Sequence, residues 1–302
     1  MKEFTAFSPG HITGLFQICD EAEEPLLKGS RGAGVSITRG VLTKVRIERS
    51  PKTSFEIRIN GNGVKPAKAS ECVINALLPA AEGNYRILVD HNINVPIGSG
   101  FGSSGAGALS LALALNEALR PGLSHVEAAQ VAHIAEVKCR TGLGTVIAET
   151  FGGLEIREKP GAPGVGEVKH IPIDDDYVVA CLKFGPMSTK EALTDERLRQ
   201  QINDLGGKLV DELIARPKPA NFMTFSRSFA EGVGLISKRT RKVLEETDVR
   251  DLACSMTVFG ECLFSLVRRD AVKELLEIFR RHALSEDSII VAEIDHEGAR
   301  LL

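Results

Sequence analysis

Two adjacent hydroxyls, Ser103 and Ser104, end a glycine-rich run and open a stretch of alanine and leucine: PIGSGFGSSGAGALSLALAL, residues 96–115. Glycine stands at positions 98, 100, 102, 105 and 107. Glycine in a helix interior costs about 1 kcal/mol relative to alanine, so this density exceeds what a turn before a helix needs. Ser103 and Ser104 are good helix N-caps, and a purely structural turn explains them but not the glycines. Anion binding explains both. Successive backbone N–H groups, ending on the positive end of a helix, attract phosphate without a lysine. The two hydroxyls could bond a phosphate oxygen or ligate Mg2+.

Two other phosphate loops fail on context. Residues 100–105 match G-x-G-x-x-G formally, but Pro96 and Gly98 interrupt any strand running into the first glycine. A second helix, not a strand ending in an acid, follows the first. A Walker-type loop fails because no lysine follows the glycines.

The elements around this loop are those of a soluble protein with room for two cores. The chain has 302 residues, 43% hydrophobic and 25% charged, with a formal net charge of -3. That charge argues against nucleic acid or an anionic membrane as partner. No run of about 18 apolar residues occurs, and the start, MKEFTAFSPGH, lacks the apolar core of a signal peptide. Six cysteines are scattered with no Cys-x-x-Cys pair, which predicts a reduced, cytoplasmic protein.

Patterning predicts strands near residues 2–8, 34–37, 43–49, 55–60 and 86–90, and a helix over 67–78. The helix after the glycine loop runs to about Leu119 and is stopped by Arg120-Pro121-Gly122. Ser124 is placed to cap the next helix, to about Val137. Residues 159–166, KPGAPGVG, read as a linker or exposed hairpin and divide the chain into 1–166 and 167–302. Beyond them a strand is predicted at 177–184, then Ser188 and Thr189 as helix caps and helices at 195–215 and 222–246. Two short strands around Gly260, a helix at 271–282 and a strand at 289–294 complete an α+β second half.

The loop resembles the second motif of the GHMP kinase superfamily, P-x-x-x-G-L-G-S-S-A, aligned on Pro96, Gly98, Ser99, Gly100, Gly102, Ser103 and Ser104. The start AFSPGHITGLFQI resembles the superfamily's first motif. GSRGAGVSI, AHIAEVKCRTGLGT and CSMTVFGECLF are together most similar to the archaeal pantoate kinases. The resemblance covers nearly the whole chain. It implies an N-terminal half like ribosomal protein S5 domain 2 and a ferredoxin-like C-terminal half, with the site between them. It also implies ATP-dependent phosphorylation of the 4-hydroxyl of pantoate with Mg2+, a step towards coenzyme A, by a protein whose relatives are often homodimers.

The resemblance assigns ATP to the loop residues just named. Glu136 falls where the superfamily has its metal-binding glutamate, with Ser104 as the second protein ligand. Thr145 departs from the pattern, because many relatives carry an aspartate there to accept the alcohol's proton. Either Glu149, a helical turn further on, takes part, or the chemistry uses no carboxylate base. His11 stands where several relatives have a lysine, within reach of substrate or phosphate. Arg31 suits a substrate carboxylate, since a guanidinium makes a two-pronged contact with that planar group, and Arg140 is a second candidate. Ser255, Met256, Thr257 and Gly260 occupy the third motif, here with one glycine and a bulky Val258-Phe259. Two alternatives stay open: a kinase for another small alcohol such as homoserine or mevalonate, and an ATP-binding regulator without catalysis.

Overall fold

The structure, a computed structural model, describes residues 2–64, 67–186 and 196–302. The expected caps Ser188 and Thr189 lie outside the described residues. In chain order the first half comprises β1 (Lys2–Cys19), β2 (Gly29–Arg49), β3 (Ser54–Ile59), β4 (Asn62–Gly63), α1 (Lys68–Leu77), β5 (Tyr85–Ile93) and α2 (Ser103–Leu119). It continues with α3 (His125–Cys139), α4 (Thr145–Phe151), β6 (Leu154–Lys159) and β7 (Glu167–His170). Its sheet runs β12-β1-β2-β5-β3-β4, with β6 pairing β2 and β7, where β12 (Arg300–Leu301) is the end of the chain.

The segments expected as separate strands at 34–37 and 43–49 are one strand. Its first part, Gly32–Val35, pairs with β6, and its second, Val41–Arg49, pairs with β5. The change of partner occurs at Gly40, where a Cβ would lie 2.0 Å from the Ser8 carbonyl oxygen, so only glycine lets β2 cross there. Helix α2 is apolar on all sides and is buried without interruption from Gly105 to Leu115. Such a helix must be surrounded, and it contacts β1, β2, α1 and α3. Ser124 caps α3 in a capping box with Glu127, as expected.

Segment 139–156 holds a helix that the sequence pattern hides. Its residues, TVIAETF, are largely β-branched or aromatic, yet burial of Val146 to Thr150 makes them helical. Of the two readings of residues 159–166, the hairpin holds, as the turn between β6 and β7, but it is not fully exposed. The Ala162 N–H donates to the Leu26 carbonyl at 2.8 Å, and residues 161–163 are buried. The expected boundary at 166 therefore falls inside a hairpin of the first sheet. The change of sheet comes after β7.

The second half comprises β8 (Tyr177–Pro186), α5 (Glu196–Ala215), α6 (Pro219–Gly232), α7 (Lys238–Val249), β9 (Ser255–Met256), β10 (Gly260–Arg268), α8 (Val272–His282) and β11 (Ile289–Ala292). Its antiparallel sheet is ordered β11-β8-β10-β9, the arrangement of a ferredoxin-like unit. The single helix expected over 222–246 is two, because Gly234 turns left-handed at φ +74° and Ser237 caps a new start. One hydrophobic core spans both halves, joining Ile12, Leu15 and Phe16 of β1 to Phe222 and Phe229 of α6 and Phe264 of β10. Phe16 meets Phe229 edge-on at 5.8 Å between centroids. Among the described residues no helix is long and apolar enough to cross a membrane.

Candidate active site

Where the halves meet, a cavity of about 420 Å³ opens between the glycine loop, the start of α2, the loop after α3 and the turn between β9 and β10. The loop reaches it through three left-handed glycines, Gly98, Gly100 and Gly102. Gly102 is the N-cap of α2 and brings no side chain to cap it; Ser103 and Ser104, the expected caps, are the first two residues of the helix. The first-turn N–H groups thus have no side-chain partner and border the cavity. Glycine at 100 and 102 is also required from behind. A Cβ would lie 2.6 Å from Thr257 Oγ1 at Gly100 and 2.3 Å from Glu149 Oε1 at Gly102.

Ser104 and Glu136 come together at the cavity. Ser104 Oγ donates to Glu136 Oε1 at 2.6 Å, and Thr141 Oγ1 donates to the same oxygen at 2.5 Å. Thr141 is folded back because α3 ends at Arg140 in a left-handed conformation, φ +55°. Glu136 Oε2 is buried and has no hydrogen-bond partner. Burial pushes the Glu136 carboxyl above its ordinary range, and the hydroxyls of Ser104 and Thr141 partly oppose this. A hydroxyl and a buried carboxylate oxygen without a partner, beside an anion seat, are an all-oxygen pair, which fits a hard cation such as Mg2+ that draws its other ligands from phosphate and water. Among the described residues there is no cluster of three or more His, Cys, Asp or Glu side chains that could hold a metal alone.

A buried chain of charges borders the same cavity. His11 of β1 is fully buried, with Nε2 2.9 Å from Glu155 Oε1 and Nδ1 3.3 Å from Thr13 Oγ1. With a carboxylate at Nε2, that nitrogen carries the hydrogen and Nδ1 accepts from the threonine hydroxyl. Burial lowers the His11 pKa, and Glu155 only partly offsets it. Arg157 Nη1 donates to the same Glu155 oxygen at 2.5 Å; its side chain is 1% exposed, lines the cavity, and its Nε has no partner. Ser30 and Gly144 lie beside it: a Cβ at Gly144 would sit 2.0 Å from Ser30 Oγ and 3.1 Å from Arg157 Nε.

The remaining expected residues divide. Arg140 and Thr145 line the cavity. Pro96 and Ser99 belong to the loop but not to the cavity wall; the Ser99 carbonyl accepts from Thr257 Oγ1 at 3.2 Å, tying the loop to the second half. Glu149 lies behind the loop, fully buried, with neither carboxylate oxygen partnered. Burial, and then the charge of Glu136, push its carboxyl well above the ordinary range, against the pull of Arg157. Among the described lining residues Glu136 is the one carboxylate.

Arg31, expected at the substrate carboxylate, is engaged by other partners. Its guanidinium is held by the Glu158 carbonyl at 3.0 Å, Gln17 Oε1 at 3.1 Å and Asp211 Oδ1 at 2.5 Å, and it is not part of the cavity wall. A second cation that lines the cavity beside the expected Arg140, Arg157, escapes sequence reasoning. Leu154-Glu155-Ile156-Arg157 alternates like a strand with a solvated polar face, and nothing local says that this face is buried.

The turn Val258-Phe259 brings the second half to the cavity, the Val258 N–H reaching the Thr13 carbonyl at 3.3 Å. Phe259 is left-handed at φ +59°, a conformation costing a bulky residue roughly 1–2 kcal/mol.

The family model for the GHMP kinases N terminal domain matches residues 67–153. The pantoate kinase of Thermococcus kodakarensis is 37% identical over 300 residues, 98% of this chain and 97% of that protein. The pantoate kinase of Methanocaldococcus jannaschii is 34% identical over 274 residues, 91% and 96% of the two chains. A solved structure described as a phosphotransferase related to the CoA biosynthesis pathway superposes with a TM-score of 0.90 at 34% identity, covering 100% of this chain and 99% of that one.

Proposed function

The chain belongs to the GHMP kinase family, among the pantoate kinases, and we propose from this that it transfers the terminal phosphoryl group of ATP to the 4-hydroxyl of pantoate. The observation that carries the reading is one cavity shared by the uncapped start of α2, the Ser104–Glu136 pair and the buried guanidinium of Arg157. The first two suit a triphosphate and its cation; the third suits the carboxylate of the acceptor.

In this mechanism the N–H groups of Gly98 to Gly105 hold the phosphates, aided by the helix dipole. Ser104 Oγ and the Glu136 carboxylate are the protein oxygens that would hold Mg2+, whose chemistry there is to offset charge on the phosphates. Arg157 takes the substrate carboxylate, and Arg140 adds positive charge at the rim. His11, engaged at both nitrogens, positions Glu155 and through it Arg157. The 4-oxygen then attacks the terminal phosphorus in line, the bond to the bridging oxygen of ADP breaks, and the alcohol's proton passes to phosphate oxygen or solvent. Thr145 cannot serve as a carboxylate base. Phosphoryl transfer passes through a loose transition state, so positioning and charge stabilisation suffice without one.

On this reading the reaction is a cytoplasmic step towards coenzyme A. An ADP-release assay with ATP, Mg2+ and pantoate tests the proposal, with one ADP formed per phosphorylated pantoate. Turnover of homoserine or mevalonate with none of pantoate would replace the substrate, and nucleotide binding without ADP release for any alcohol would replace catalysis by regulation.

A further inference from the structure

Pantoate is charged at one end and hydroxylated at the other, and between them a quaternary carbon carries two methyl groups. Polar groups in the cavity account for both ends. The methyl groups need an apolar surface, and the cavity has one beside Arg157. At Gly32 a Cβ would lie 2.6 Å from Arg157 Nη2 and 2.9 Å from Phe16 Cβ, so the guanidinium and the Phe16 side chain are neighbours. Phe259 meets the Phe16 ring edge-on at 5.5 Å between centroids and an interplanar angle of 78°.

Phe259 is held there against its own backbone preference. Glycine would adopt its left-handed conformation without strain, yet phenylalanine occupies the position. Strain of this kind persists where the surroundings impose it and clusters at functional sites. Here the approach to Phe259 is fixed by two hydrogen bonds to different elements, from Thr257 to the Ser99 carbonyl and from Val258 to the Thr13 carbonyl. Gly260 seals the arrangement, since a Cβ there would lie 2.2 Å from the Ser99 carbonyl. Phe16 is backed by Phe229, so its ring cannot withdraw from Phe259.

We infer that Phe259, braced by Phe16, is the specificity-determining surface that receives the two methyl groups of pantoate. The inference rests on the pantoate kinase reading and adds which residue selects the branched acid over an unbranched one. Burying two methyl groups is worth about tenfold or more in discrimination.

The test compares kcat/KM, by ADP release, for pantoate and for 2,4-dihydroxybutanoate, which lacks both methyl groups, in the wild type and in Phe259→Gly and Phe259→Leu. The expected result is a preference for pantoate that falls about tenfold in Phe259→Gly through the acceptor KM. The KM for ATP should stay within about twofold, and Phe259→Leu should keep most of the preference. The thermal midpoint of Phe259→Gly should shift little, because relief of the strained backbone opposes the lost contact with Phe16 and the added freedom of the unfolded chain. A preference unaltered in an active Phe259→Gly enzyme overturns the inference while leaving the pantoate reading intact. A wild type that does not turn over pantoate overturns both.

Discussion

Ser104 and Glu136 stand 32 residues apart in sequence and share a hydrogen bond of 2.6 Å at the mouth of α2, leaving Glu136 Oε2 without a partner. Helix α2 supplies the hydroxyl and α3 the carboxylate, and the α2–α3 contact is what turns two ordinary residues into one oxygen site.

Glu136→Gln removes the negative charge but keeps the shape. We expect kcat to fall by roughly 100-fold or more, since a metal's charge stabilisation is worth several kcal/mol, with the thermal midpoint unchanged or raised. Initial rates over a Mg2+ titration check this, and full activity at ordinary Mg2+ would remove the assignment.

Glu149 gives a pH signature. Burial raises its folded pKa above the ordinary value of 4.5, so the folded state favours the protonated form. Its contribution to stability is complete below about pH 4.5 and is lost as pH rises through the raised value. Glu149→Gln should therefore match the wild type in thermal midpoint near pH 4.5 and exceed it increasingly as pH rises towards the raised value. A constant difference across that range would contradict the burial argument.

Arg157→Met leaves the Glu155 carboxylate buried with only His11 beside it. Breaking such a pair from one side costs about 3–5 kcal/mol, which chemical denaturation would register. Arg157→Lys keeps the charge but not the fork, and the pantoate KM should rise about tenfold while the ATP KM holds. Equal changes in both constants would point to a general loosening of the site.

Arg31→Ala separates the cation chosen from sequence from the one chosen by the fold. Its partners are two side-chain acceptors and a carbonyl, with Asp211 67% exposed, so the stability loss should be about 1 kcal/mol. The pantoate KM should stay within about threefold. A tenfold rise would return Arg31 to the substrate.

Much of the architecture is legible locally. The boundaries of α2, the capping box of α3 and the strand–helix order of the second half follow from period, caps and breakers within a few residues. The misses have a common cause. TVIAETF is helical in α4 because it is buried, the hairpin at 159–166 is part-buried rather than exposed because Ala162 reaches Leu26, and β2 is one strand because two partners share it.

By itself, the order of residues determined that a glycine loop enters an apolar helix and that no lysine follows its glycines, because backbone freedom and helix polarity are properties of adjacent residues. It also placed Ser104 and Glu136 on consecutive helices. Only tertiary structure decided that Arg157 rather than Arg31 faces the cavity, that Glu149 lies sealed behind Gly102, and that Phe259 meets Phe16. Burial and charge pairing depend on which distant elements pack together, and Glu155, 144 residues from His11 along the chain, is its neighbour only in the folded protein.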